Sequence, residues 1–245
     1  MRMWAFSLRN GKEIVRDPLS LVFGVGFPVV LIGLFSWMQR SIAGMPADTF
    51  GIENFAPGMA VFGLSFLSLF LGMLLANDRQ SAFLTRLFAS PMQGMDYIGG
   101  YTVALLPVAL MQSAVCFLFA VLLGFPLRIS LLWVFVVMVP VALLFIACGL
   151  LLGGLLSSNQ VGGVASILVN VAALLSGTWF SLDLIGGTFA TICRWLPFSH
   201  AVDAVKLAAG GEIGAVLPHV LWVLGYAAVL YVAAIAVFKR RMKQS

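Results

Sequence analysis

The spacing of charged residues constrains this chain more than any other feature. Asp17 to Arg40 encloses 22 uncharged residues (18–39), Glu53 to Asp78 encloses 24 (54–77), and Asp96 to Arg128 encloses 31 (97–127). Arg128 to Asp183 encloses 54 (129–182), and Glu212 to Lys239 encloses 26 (213–238). A helix needs about 20 apolar residues to cross the hydrocarbon core of a bilayer. The stretch of 54 is too long for one crossing, and the polar break Ser157-Ser158-Asn159-Gln160 divides it. Six spans follow, at 19–38, 56–76, 99–123, 131–156, 161–180 and 217–238.

Composition excludes the alternatives. The 245 residues are 62% hydrophobic and 9% charged, whereas a soluble domain is about 45–50% apolar and about 25% charged. So few charges cannot cover so much apolar surface in water, and a chain this apolar is not disordered. Continuous rather than alternating apolar runs exclude a barrel. Three cysteines, with Cys116 and Cys148 inside spans and Cys193 outside them, give no disulfide framework. The first apolar run is too long for a secretory signal. Pro28, Pro107 and Pro140 fall inside spans, where prolines are tolerated and mark kinks.

Lysine and arginine near span ends orient the chain. With six spans both termini share a side, and that side carries ten: Arg2, Arg9, Lys12, Arg16, Arg79, Arg86, Lys239, Arg240, Arg241 and Lys243. The other side carries four, Arg40, Arg128, Arg194 and Lys206. Both termini are therefore expected in the cytoplasm. The net charge of +5 reports this topology and attraction to anionic lipid, not nucleic-acid binding.

Three segments outside the spans are amphipathic. Residues 1–18 place Trp4, Leu8 and Val15 near one face, with Arg9, Lys12, Glu13 and Arg16 away from it, which predicts an interfacial helix ending at Asp17-Pro18. Residues 19–245 form the transmembrane domain. Within it, the segment around 78–92 repeats Phe83, Leu84, Leu87 and Phe88 on one face, with Arg79 and Arg86 beside it and Pro91 ending the pattern. That face suits either lipid or the groove of a partner protein. The segment 181–213 mixes apolar residues with Asp183, Arg194, His200, Asp203, Lys206 and Glu212. No single span fits it, and two short helices that dip into the outer leaflet and return would.

Two stripes run along spans. Span two repeats Met59, Phe62, Phe66, Phe70 and Met73, and span five repeats Asn159, Gly163, Ser166, Asn170, Ala173 and Gly177. Such stripes serve helix packing, as Gly149 and Gly153 in span four also could. Asn170 stands apart, because a mid-span amide is costly in lipid and should face a partner or a cavity.

Several chemistries lack their residues. There is no phosphate loop and no His-Glu-x-x-His or paired-cysteine zinc motif. Leu174-Leu175-Ser176-Gly177 lacks the first glycine of a serine nucleophile motif. No span carries a central charge of the kind that ion-coupled pumps use. Energy for any transport must come from elsewhere, and the chain is not expected to be an enzyme.

Four motifs, in order, carry a resemblance that covers essentially the whole chain: Arg16-Asp17-Pro18-Leu19 before span one, Asp78-Arg79 with Leu84, Leu87 and Ser90-Pro91-Met92 after span two, Leu175-Ser176-Gly177-Thr178-Trp179-Phe180 ending span five, and Leu196-Pro197 with His200, Asp203 and Lys206 before span six. The arrangement resembles the ABC-2 type permeases, the membrane subunits of exporters related to drug-resistance and nodulation-factor systems. Gln80, Ser81 and Thr85 stand where that family often has acidic residues and Gly-Thr.

The resemblance implies an all-α polytopic fold of the ABC-2, or type V exporter, kind: six spans, an N-terminal interfacial helix, a cytoplasmic coupling helix and an outer re-entrant segment. It implies a bacterial inner-membrane permease that exports an amphiphile, drug-like or lipid-linked. It also implies two copies of a cytoplasmic ATPase that binds ATP and magnesium, a second copy of this chain or a related permease, and contact with membrane lipid. No cofactor, metal or nucleic acid is expected in this chain. Arg79, Phe83, Leu84, Arg86, Leu87 and Phe88 would then meet the ATPase, Phe62, Phe66, Phe70, Ser166 and Asn170 would line the substrate path, and His200 and Asp203 would form an outer cap. A lipo-oligosaccharide or polysaccharide exporter and a non-transporting assembly subunit are the alternatives.

Overall fold

A computed structural model describes residues 2–42, 44–45, 47–81 and 94–242. The described residues form helices and no strands. In chain order these are α1 (Arg2–Arg16), α2 (Pro18–Ser41), α3 (Ala47–Phe50), α4 (Ile52–Gln80), α5 (Gly94–Leu122), α6 (Leu131–Leu155), α7 (Ser158–Leu175), α8 (Leu182–Ile185), α9 (Gly187–Trp195), α10 (Pro197–Gly210) and α11 (Ile213–Met242). Six of them, α2, α4, α5, α6, α7 and α11, are long and apolar enough to cross a membrane. They are the six spans that the charge spacing predicts.

Spans two and four form the centre: 72% of the apolar window of each is buried, against 17% for span six. Span four is apolar around its whole circumference, the pattern of a helix enclosed by others. Its glycines let the two backbones touch. A Cβ at Gly149 would lie 2.7 Å from the Ser68 carbonyl oxygen, and one at Gly153 would lie 2.6 Å from the Gly72 carbonyl oxygen. Close approach through small residues is the usual source of helix affinity in lipid, where no hydrophobic drive acts between helices. Ser65 and Ser68 on the facing helix bond their hydroxyls to the carbonyls of Phe62 and Ser65, so they enter the core without an unmet donor.

Local signals set the ends. The Asp17 carboxylate accepts from the Leu19 and Ser20 amides at 3.3 and 3.1 Å, and Pro18 fills the first helical position of span one. Spans four and five meet at the polar break, where the Ser157 amide donates to Gln160 Oε1 at 3.1 Å. Spans three and four continue through Pro107 and Pro140. Pro28 instead follows a π-helical turn at Val22–Gly26.

Helix α1 lies against span three, but not through the Trp4–Leu8 face that the sequence reading suggests. Phe6, Ser7, Asn10 and Ile14 are buried, whereas Trp4 and Leu8 are exposed. The Phe6 ring meets the edges of Tyr97 and Tyr101 with centroids 5.9 and 5.0 Å away, and the Ser7 hydroxyl donates to the Gly100 carbonyl at 2.8 Å. A Cβ at Gly100 would sit 2.5 Å from the Phe6 ring, so glycine makes the seat for that ring. Two hydrogen-bonding side chains thus join the buried face, and Trp4 and Leu8 remain on the opposite one.

The segment before span six holds three helices rather than two. Helix α8 is a single turn, α9 follows, and α10 buries Phe198, Ala201, Val202, Val205 and Ala208 against the bundle.

Candidate functional site: the span two and five pocket and the Asp78 junction

The predicted stripes of spans two and five meet. Phe62, Phe66 and Leu69 from span two and Ser166, Asn170 and Ala173 from span five line one pocket, closed by Phe27 of span one and by Trp179. Its volume is about 370 Å³ and it is half open to the outside of the single chain. Phe70, one turn beyond Phe66, is half-buried and does not line it.

The two walls differ in chemistry. The aromatic wall is held by ring contacts: Phe62 meets Phe66 edge-on at 5.2 Å, and Trp179 meets Phe62 at 6.2 Å. Phe23 stacks on Phe66 at 6.0 Å, and Phe27 meets Phe62 and Phe66 at 6.1 Å. On the polar wall the Ser166 hydroxyl donates to the Gly162 carbonyl at 2.7 Å, and the Asn170 amide donates to the Ser166 carbonyl at 2.8 Å. The Asn170 side chain is exposed, and its amide group uses only that local bond among the described contacts. A flat apolar body with one polar edge matches these walls.

The end of span five is fixed onto span two. Gly177 turns the chain at φ 72°, in the left-handed region that glycine adopts without strain. This brings Thr178 against Gly58, where a Cβ would meet its side chain at 2.5 Å. The Ser176 hydroxyl lies 2.8 Å from the Thr178 hydroxyl. The Ser-Gly-Thr-Trp motif therefore aims Trp179 into the pocket wall.

At the end of the bundle that carries the chain termini, Asp78 is a junction. Arg9 donates to it with both terminal nitrogens, Nη1 to Oδ2 at 3.1 Å and Nη2 to Oδ1 at 3.0 Å. The Tyr101 hydroxyl donates to Oδ2 at 2.6 Å. Arg9 also pairs with Glu13 at 2.8 Å. Burial works against the Arg9 charge, but the Asp78 hydrogen bonds and its charge outweigh that and raise the guanidinium further above its ordinary value. One carboxylate thereby joins α1, the end of span two and the start of span three.

Arg79, the next residue, turns back onto span four. Its Nη1 donates to the carbonyls of Gly154 at 2.8 Å and Leu156 at 3.2 Å, and also to that of Gly153. These are carbonyls that a helix end leaves without partners, and a cation there also meets the negative end of the helix dipole. Phe83, Leu84, Arg86, Leu87 and Phe88 lie outside the described residues. The described chain ends at Ser81, three residues after Asp78, and resumes at Gly94, seven before Tyr101.

At the opposite end, side chains from α10 and α11 cover the last carbonyls of α9. Ser199 donates to the Cys193 carbonyl at 2.8 Å, His200 Nε2 lies 2.9 Å from that of Arg194, and Tyr226 donates to that of Trp195 at 2.8 Å. A carbonyl only accepts, so His200 carries its proton on Nε2. In the neutral ring its Nδ1 is then the acceptor for His219 Nδ1, 2.8 Å away. Asp203 is half-buried one turn along from His200. Lys206, a further turn on, is half-buried; burial pushes its ammonium below the ordinary lysine range, and the Asp203 charge opposes this.

Residues 1–208 match the ABC-2 type transporter family. The chain belongs to the ABC-2 type transporter family. The match includes both pocket walls, the Asp78 junction and most of the segment before span six, and stops short of span six itself. A Bacillus subtilis (strain 168) protein, provisionally named transport permease YvfS, is 21% identical over 214 residues, which is 84% of this chain and 85% of that one. The chain is thus an ABC-2 transport permease, a multi-pass membrane subunit. An ABC ATPase is the partner that this family implies.

Periodicity marks Phe62 with Phe66 and Ser166 with Asn170 as two separate stripes, and the family resemblance places them on one path; the residues beside them are missed. Arg9 reads only as a cation on the polar face of the N-terminal segment, and nothing singles out Tyr101 or His219 as partners, although an imidazole inside an otherwise uncharged span is an available signal.

Proposed function

We propose that this chain is the permease of an ATP-driven exporter that moves an amphiphilic, drug-like or lipid-linked substrate out of the cytoplasm across a bacterial inner membrane. Two copies pair, and each engages one cytoplasmic ATPase through the segment around 78–92. ATP and magnesium are bound by that ATPase. Both termini face the cytoplasm, in accord with the basic residues on that side, and α1 lies at the membrane surface.

The observation that carries this reading is the pocket itself. It has an aromatic wall, Phe62 and Phe66, facing a polar one, Ser166 and Asn170, and it opens on the flank of a single chain. In lipid an exposed serine and asparagine pair on a span needs a partner or a water-filled path. A second copy set against spans two and five supplies both, with the two pockets facing each other. The amphiphile is preferred because the lining is largely apolar, with Leu69, Val169, Ala173 and Leu174 beside the rings.

The test is purification of the permease with whatever ATPase accompanies it, followed by ATP hydrolysis in proteoliposomes across a panel of amphiphiles and lipid-free oligosaccharides. Co-purification of a phosphate-loop ATPase whose hydrolysis rises with amphiphiles supports the proposal. A stable complex that stimulates with oligosaccharides only, or with nothing, contradicts it.

A further inference from the structure

Gln112 sits in the interior of span three and is 2% exposed, and its Nε2 has no hydrogen-bond partner. An amide donor left unmet in the core of a membrane protein calls for a reason, since neither lipid nor solvent supplies an acceptor there. Its surroundings supply one. A Cβ at Gly63 of span two would meet Gln112 Nε2 at 2.0 Å, the Gly24 carbonyl oxygen of span one at 2.9 Å and the Pro28 ring at 3.0 Å. Three spans therefore converge on a notch that exists because residue 63 has no side chain.

The Gly24 carbonyl is the complement of the Gln112 donor. In an α-helix it would accept from the amide of residue 28, and Pro28 has no N–H. The break coincides with the π-helical turn Val22–Gly26, and such turns cluster where a helix has work to do. A donor without an acceptor thus lies across a notch from a carbonyl that lacks its i+4 donor, and since a carbonyl has two lone pairs a π-type bond from residue 29 would still leave one for Gln112. The same turn bears Phe23, and Phe27 follows it directly; these are the rings that rest on Phe66 and Phe62 at the pocket.

We infer that Gln112 is a positioning residue for span one, a latch whose Nε2–H closes onto the Gly24 carbonyl when the Val22–Gly26 turn moves toward span three. That movement draws Phe23 and Phe27 off Phe66 and Phe62 and widens the pocket on its span-one side. The bond is open in the arrangement described above and closed in the other, so the unmet donor is the stored half of a two-state contact. This inference rests on the pocket being the substrate path.

The test uses the permease in complex with its ATPase in proteoliposomes, with Phe27→Cys as a reporter. The natural cysteines are buried, which favours low background labelling. The rate of modification by N-ethylmaleimide is compared between the nucleotide-free complex and the complex trapped with ATP, magnesium and vanadate. With Gln112 present, the two rates should differ at least fivefold. In the Gln112→Leu background the difference should fall below twofold while the melting temperature holds or rises, because an unmet buried donor has been removed. Gly63→Ala, which fills the notch and displaces the amide, should likewise reduce it. Retention of the fivefold difference in both backgrounds would overturn the latch. An Asn170→Cys reporter separates this from failure of the path: a rate there that changes with nucleotide while the Phe27 rate does not refutes the latch alone, and no change at either position refutes both.

Discussion

Arg9 and Asp78 are 69 residues apart in the chain and form a two-pronged ion pair, with Nη1 and Nη2 at 3.1 and 3.0 Å from the two carboxylate oxygens. The pair ties the N-terminal helix to the end of span two, just before the segment proposed to engage the ATPase. Tyr101 ties the same carboxylate to the start of span three. A push delivered to the segment between them would reach α1 and span three through one side chain.

This junction should be both structural and transmitting. Removing one partner of a buried pair costs about 3–5 kcal/mol, and exposure lowers that. Arg9 keeps 37% of its side chain exposed and Asp78 only 6%, so Asp78→Ala should cost about 2 kcal/mol and Tyr101→Phe about 1 kcal/mol. A double-mutant cycle of Arg9→Met with Asp78→Asn in thermal unfolding reads the coupling. Additive losses would show that the two side chains act independently.

Arg79 separates two roles that its position invites. Loss of its bonds to the last carbonyls of span four should lower stability by about 1–2 kcal/mol in Arg79→Ala, with part restored by Arg79→Lys, because an ammonium meets the dipole but cannot spread across three carbonyls. Unfolding and ATPase co-purification should be measured on the same variants. Unchanged stability with loss of the ATPase would place Arg79 at the partner surface instead.

The glycines of span four give a contrast set. Gly149→Ala and Gly153→Ala drive a methyl into the backbone of span two and should each cost about 1–3 kcal/mol. Gly162 of span five has nothing within 4 Å of its Cβ position, and as the control Gly162→Ala should be neutral or stabilising by up to about 1 kcal/mol. Equal effects at all three positions would mean that spans two and four do not touch through their backbones.

The spans were legible because lipid forbids unpaired charge, so uncharged runs of the right length have few other uses. The pocket was legible for a related reason: period-four stripes fix which residues share a helix face, although not which faces meet. Contacts between distant residues left no such trace. Nothing local marks Tyr101 as the partner of Asp78 or His219 as the partner of His200. Helix α1 misleads because Trp4 and Leu8, which mark its expected apolar face, are exposed, while Phe6 and Ile14 are buried beside Ser7, which enters the bundle by bonding the Gly100 carbonyl. Gln112 left a faint signal, a single amide in an uncharged run of 31 residues (97–127).

Lys206 should make stability depend on pH in the alkaline range. Its folded-state pKa is lowered by burial, against the opposing Asp203 charge, so the unfolded chain holds this proton more tightly. Its contribution to stability is complete above the ordinary lysine value of about 10.4 and is lost as pH falls through the folded-state value. Lys206→Met should therefore be more stable than the natural protein at neutral pH, and the difference should shrink toward pH 10.5. Thermal unfolding of both proteins at the two pH values checks this, and a gap that grows with pH would refute it.

The account turns on the pocket between spans two and five being the path. The most direct measurement is thiol labelling of an Asn170→Cys permease in proteoliposomes with its ATPase, with and without an amphiphile that stimulates hydrolysis. The pocket as path predicts that the amphiphile slows labelling at position 170 and that a bulky maleimide attached there abolishes stimulated hydrolysis and export while the complex stays assembled. Labelling that is indifferent to the amphiphile, with export intact after modification, would contradict it.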